Sequence, residues 1–175
     1  MERAKNRSLI FGFITTAVLG VLLHFFFEWA NNNGFVGIFS AVNESTWEHL
    51  KLLYWPVFLF SIYEYLVYGK NHPQFWWSKL KGILIGMLLI IVLFYTYTGV
   101  LGFNIDFLNI AIFFIALIFT WITQKKALDN KTCSENLNKI SLILLFGIGV
   151  LFIIFTFFTP TINLFRDPIT NTYGI

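Results

Sequence analysis

The chain has 175 residues, 57% of them hydrophobic and only 12% charged, with a mean hydropathy of +0.72. A soluble domain carries about a quarter charged residues, so a water-soluble globular class is excluded and the long apolar stretches read as transmembrane helices. The pI near 9.0 comes from basic residues spread over short loops, as membrane topology requires, and does not point to nucleic acid.

In chain order, the basic segment Met1–Ser8 runs straight into an apolar stretch. That stretch is longer than the core of a signal peptide and no small-x-small cleavage site follows it, so it reads as an uncleaved first span. Five spans are expected, at about 8–27, 50–69, 80–101, 105–124 and 140–160. Each is close to the roughly 20 residues that cross the hydrocarbon core. The fold expected is all-α: one transmembrane domain, 1–175, built as a five-helix bundle. Between the first two spans lie Asn31-Asn32-Asn33-Gly34 and the apolar segment Phe35 to Val42, which suits a short interfacial or re-entrant element. Pro56 removes a hydrogen bond inside the second span and predicts a kink there. Gly82, Gly86, Gly147 and Gly149 offer close helix contacts. The only cysteine, Cys133, excludes an intrachain disulfide and reads as a free surface thiol in a polar loop with Lys125, Lys126 and Lys131.

Orientation follows from Lys and Arg. Arg3, Lys5, Arg7, Lys70, Lys79, Lys81, Lys125, Lys126, Lys131 and Lys139 share one side; Lys51 and Arg166 are on the other. The positive-inside rule then gives an N-terminus inside and a C-terminus outside.

The acids gather on the opposite, outer side: Glu28, Glu44, Glu48, Asp106 and Asp167. Charges at membrane depth are costly and need partners or a purpose. His24 and Glu28 are spaced i, i+4 and share a helix face. Asn43-Glu44-Ser45-Thr46-Trp47-Glu48-His49 opens the second span. Ser45-Thr46-Trp47-Glu48 fits a capping box, in which Glu48 reaches back to the Ser45 amide. That accounts for Ser45 and Glu48 but not for Glu44 or His49. His24, Glu28, Glu44 and His49 are the candidate ligands of a divalent ion such as zinc, although no standard zinc signature is present. Glu44, Glu48 and His49 are the candidate acid–base groups. Asn43, Trp47, Glu64, Tyr97, Asp106, Asp167 and Tyr173 are candidate pocket residues. Glu64 lies about 22 Å along the second span from His49, facing broadly the same way. The turn-rich tail from Asn163 to Ile175 folds back, on this reading, as a cap over the outer site.

Val42-Asn43-Glu44-Ser45-Thr46-Trp47-Glu48-His49-Leu50-Lys51, Glu64-Tyr65, Tyr95-Thr96-Tyr97-Thr98-Gly99 and the tail Leu164–Ile175 together carry a resemblance over nearly the whole chain. It resembles the DUF6512-type family of small bacterial polytopic membrane proteins of unknown function. The family pattern has Gly where this chain has Asn171, a residue that also adopts left-handed turn geometry. The resemblance implies fold and location, a bacterial cytoplasmic membrane, and carries no activity.

Three functions fit these residues. One is an intramembrane metal-assisted hydrolase or transferase acting on a lipid or amphipathic substrate. Another is a small cation or solute transporter or binding protein, in which Glu64 extends the polar line inward. The last is a structural subunit whose polar cluster locks helices together. The expected partners are the bilayer itself and a lipid or small-solute ligand.

Overall fold

The computed structural model describes residues 2–130 and 133–175, with side chains from Ser8 onward. The side chains of Arg3, Lys5 and Arg7, and the loop residue Lys131, lie outside the described ones. The described residues form five long α-helices and one short one: α1 (Glu2–Trp29), α2 (Gly34–Gly37), α3 (Thr46–Val67), α4 (Phe75–Leu101), α5 (Asp106–Asp129) and α6 (Glu135–Phe157). All five long helices are long and apolar enough to cross a membrane. In hydrocarbon every backbone polar group must be satisfied within its own segment, which is why such runs become helices.

Local signals set the helix ends. The second span begins at Thr46 rather than near 50, because the Ser45 side chain accepts the Glu48 amide and caps the helix there. The third begins at Phe75 rather than 80, two residues past Pro73, which takes Trp76, Trp77 and Lys79 into the helix. α5 runs on to Asp129 past the expected end at 124. α6 starts at a second serine cap, Ser134 accepting from Leu137, and ends at Phe157 rather than 160. α4 stops at Gly102, whose φ of 79° is open to glycine at no steric cost. The Asn31-Asn32 turn after α1 also takes left-handed geometry, with φ of 52° and 56°. Pro56 sits inside α3 without ending it.

α3 is the hub of the bundle. Some 67% of its span is buried in protein, against 17–28% for the others. It packs on α1, α4 and α6. It is also the least apolar of the five, with mean hydropathy 1.3 against 2.0–2.8. A helix walled in by protein can carry polar groups that a lipid-facing helix cannot. The core around it is aromatic and aliphatic, with Leu53, Tyr54, Phe75, Ile83, Leu117, Leu145 and Phe152 fully enclosed. α4 and α5 approach closely where Gly82 and Gly86 leave room for Gln124 and Thr120. Gly149 faces Tyr54, whereas Gly147 meets open space.

The outward faces are covered with exposed large apolar side chains, such as Ile14, Val18, Leu88, Ile118 and Ile143. Such a surface suits a molecule whose surrounding solvent is lipid.

Candidate functional site

Everything of chemical interest at one end of the bundle hangs on the bend between α2 and α3. Asn43 Oδ1 accepts the Ser45 amide at 2.9 Å, a local turn that precedes the helix. Ser45 then caps α3. Glu48 makes the expected contribution to the helix start but with a different target. Its Oε2 takes the Val42 amide at 3.0 Å, not the Ser45 amide, because the chain doubles back one turn earlier. Glu44 lies between these two anchors. Its own amide donates to Asp167 Oδ2 at 3.3 Å.

The result is a compact triad. His24 comes from α1, Glu44 from the bend and His49 from the first turn of α3. His24 Nε2 lies 3.6 Å from Glu44 Oε2, and His49 Nε2 lies 3.5 Å from the same oxygen. One ligand atom from each of the three falls within 4.8 Å of the other two. The imidazoles meet edge to face at 5.3 Å. His49 Nδ1 lies 2.9 Å from the Ser45 carbonyl. A carbonyl only accepts, so Nδ1 carries the proton and a neutral His49 points a lone pair from Nε2 at Glu44. A cation between these lone pairs, either a proton or a metal ion, would be stabilised by both.

Both separations from Glu44 Oε2 are longer than an ordinary hydrogen bond. An N–H···O hydrogen bond spans roughly 2.7–3.2 Å. Adjacent ligands of a tetrahedral zinc, with bonds of ~2.0–2.1 Å, stand about 3.3 Å apart. Three protein ligands with a free fourth position is the arrangement of catalytic rather than structural zinc. The His49 Nδ1–H bond to a backbone carbonyl is the outer-shell support such ligands ordinarily have. The neighbouring His24 imidazole holds the Glu44 carboxyl below its usual value despite burial, so it is ionised.

The other candidates divide into those near the triad and those elsewhere. Glu28, one turn along α1 from His24, is not in the triad; it is exposed and lines a small cavity of about 220 Å³ with His24, Asn43 and Glu44. Asp106 lines a larger cavity of about 420 Å³ that also reaches the triad. Glu48 is not part of the triad. It is buried and paired at 2.5 Å with Lys51, whose ammonium also donates to the Gly37 carbonyl at 2.7 Å and to Thr156 Oγ1 at 3.0 Å. Trp47 is an aromatic wedge packed on Phe152, Phe155 and Phe165. The Tyr97 hydroxyl is occupied by Asn104 and Asn109 across the α4–α5 turn.

The tail lies against the site. Phe165 is buried under Trp47. Asp167 Oδ1 accepts the Ile169 and Thr170 amides at 2.7 and 3.1 Å while Oδ2 takes the Glu44 amide. Burial pulls the Asp167 carboxyl up, but these amides outweigh it and hold the group below its ordinary value. Asn43 Nδ2 donates to the Gly174 carbonyl at 2.9 Å. Asn171 adopts φ 60°, and Arg166 and Tyr173 form an antiparallel bridge. Tyr173 therefore closes the tail's own turn.

Glu64 belongs to a separate cluster near the other end of α3. It is fully buried and ion-paired with Lys79 of α4. Its Oε1 accepts from the Tyr68 hydroxyl at 2.7 Å and from Ser8 at 3.1 Å. Lys79 also donates to Gln124 and lies 5.1 Å over the rings of Phe75 and Trp121. Glu64 lines neither cavity at the triad end. Sequence reasoning missed the interior positions of Lys51 and Lys79, which it counted as loop charges. For Lys51 a signal existed, the i, i+3 spacing from Glu48. For Lys79 none did, because its partner is on another helix.

No curated protein and no solved structure matches the chain. Residues 2–175 match the profile of DUF6512, a family of unknown function, and the chain belongs to that family.

Proposed function

We propose that this is a multi-pass membrane protein with a divalent metal centre, held by His24, Glu44 and His49, that performs hydrolysis or group transfer on an amphipathic molecule. The single observation that carries the reading is the mutual approach of two imidazole nitrogens and one carboxylate oxygen at the polar end of a cavity. An ion there would polarise a carbonyl or phosphoryl oxygen and make bound water acidic near neutral pH. The chain's own part is to fix the ligands, to leave one position open and to keep the surroundings apolar. Glu48 takes no part in the reaction on this reading; it and Lys51 hold the bend that carries Glu44.

The site faces the extracytoplasmic side, with the N-terminus inside. Of the exposed basic residues, Lys70, Lys81, Lys125, Lys126 and Lys139 flank the end opposite the triad, and Arg166 accompanies the triad. Removing the two interior lysines from the earlier count leaves the bias intact.

A second reading has an observation of its own. The ionised Glu44 beside two histidines also suits protonated imidazoles, which would make the cluster a lock between α1 and α3. Elemental analysis of the purified protein separates the two. The metal reading expects about one ion per chain in the wild type and none in His49→Ala. No ion in either sample leaves the lock.

A further inference from the structure

The two cavities share the wall formed by His24, Phe25 and Glu44. Their linings differ. The smaller one has Glu28 and Asn43 among its walls. The larger one is walled by Val21, Leu52, Ile90, Phe94 and Phe113, with polar groups confined to the triad and to Asp106, Thr46 and Asn109. α1 and α5 meet where the Trp121 indole donates to Thr16 and where Gly20 lies against Phe113. Toward the triad, residues of both helices line the larger cavity. Val21 and Phe25 of α1 and Ile110 of α5 all line the larger cavity, yet they are 42, 43 and 57% exposed. A side chain that lines a cavity and is also exposed stands at its mouth. These three are apolar and lie within the membrane-spanning segments, so the mouth opens sideways toward hydrocarbon.

We propose that the substrate is an acyl-chain membrane lipid, admitted from the bilayer between α1 and α5. Its chain occupies the larger cavity and its ester or phosphate group meets the triad. The smaller polar cavity, on the other side of the His24–Glu44 wall, gives water access to the reacting end, with Glu28 beside it. An apolar chamber open to lipid has no better occupant: water inside would face unsatisfiable walls, and a hydrocarbon chain arrives with no desolvation cost. Charge agrees with shape, since an oxygen-rich head group complements a cation held by the triad. Calling the lipid a substrate rests on the metal-centre reading; its seat in the cavity does not.

The test uses full-length, zinc-loaded protein in vesicles of phosphatidylethanolamine and phosphatidylglycerol. A fraction of the phosphatidylglycerol carries a photoactivatable diazirine in one acyl chain. Leu52 is 4% exposed and lies on the central helix, so a chain that labels it has entered the cavity. The expected result is an adduct on the peptide containing Leu52. Val21→Trp and Ile110→Trp, each a plug at the mouth, should reduce that adduct severalfold while zinc content stays at the wild-type level. Using two plugs keeps the test informative if one variant folds poorly. Labelling confined to the outer helix faces, or Leu52 labelling indifferent to both plugs, would overturn the proposal. Wild-type protein that takes up no zinc yet labels at Leu52, with the label reduced by the plugs, would instead defeat the metal reading and leave the lipid cavity standing.

Discussion

His49 is positioned twice over. Its backbone amide and its ring Nδ1 both turn to the Ser45 carbonyl, at 3.2 and 2.9 Å. The tautomer that exposes Nε2 to Glu44 is therefore set by the first turn of α3, and anything that loosens that turn should loosen the triad. Ser45→Ala removes the cap and should cost about 1 kcal/mol of stability, seen as a lower unfolding temperature in detergent, with metal affinity falling in parallel. Acid should act through the imidazoles. Each must lose a proton to bind metal, so affinity should fall on acidification with up to two protons taken up per ion released. Glu44 does not contribute in that window. Its carboxyl is held below its ordinary value, so its favourable interactions are complete above that value and are lost only as pH falls through the lower, folded-state one. Titrating metal affinity against pH by calorimetry in two buffers gives the proton count. Asp167 acts one bond further out, through the Glu44 amide. Asp167→Ala should weaken metal binding about tenfold, the low end for outer-shell partners, in a competition assay with a chelating dye.

At the scale of the element, α3 has a buried ion pair near each end: Glu48 with Lys51, both its own, and Glu64 with Lys79 of α4. The Lys51 ammonium has three partners for its three protons: Glu48, Gly37 and Thr156. Such pairs add little over an apolar replacement, but removing one partner strands a charge and costs roughly 3–5 kcal/mol. Lys51→Met should thus destabilise the protein strongly, and the double variant Glu48→Gln with Lys51→Met should recover part of the loss. Thermal unfolding of the three proteins in one detergent checks this. Glu64 answers to the same logic and bears on the transport alternative. Enclosed by Lys79, Tyr68 and Ser8, it stabilises helix packing. Glu64→Gln should lower the unfolding temperature and leave metal content untouched. A flux assay in which Glu64→Gln abolished solute movement would favour transport instead.

At the scale of the molecule, the ends of the bundle differ in kind. One has the triad, the tail, Glu28, Glu48 and Asp106; the other has exposed lysines, Glu64, Asp129, Glu135 and the loop of Cys133. That single cysteine is a ready topological reporter. Burial pushes its thiol up, so labelling is best done at mildly alkaline pH. An impermeant maleimide should leave Cys133 unmodified in intact cells and modify it in inverted vesicles; the reverse would place the triad inside. The tail joins the site through side chains far apart in sequence, Asp167 with the Glu44 amide and Asn43 with Gly174.

The sequence by itself determined the class of the molecule and its elements. Five apolar runs, each long enough to cross a bilayer, leave the backbone no option but helix, and Ser45 announced the start of α3 because capping is a local interaction. His24 and Glu28 were legible as neighbours for the same reason, four residues apart on one helix. Only the tertiary structure decided that His24 turns to Glu44 and His49 while Glu28 stands aside, that Lys79 reaches Glu64, and that residues of α1 and α5 line a cavity beside the triad. These are contacts between helices, set by how rigid cylinders pack. Spacing along a chain records what lies on one face of a helix; it does not record which other helix that face will meet.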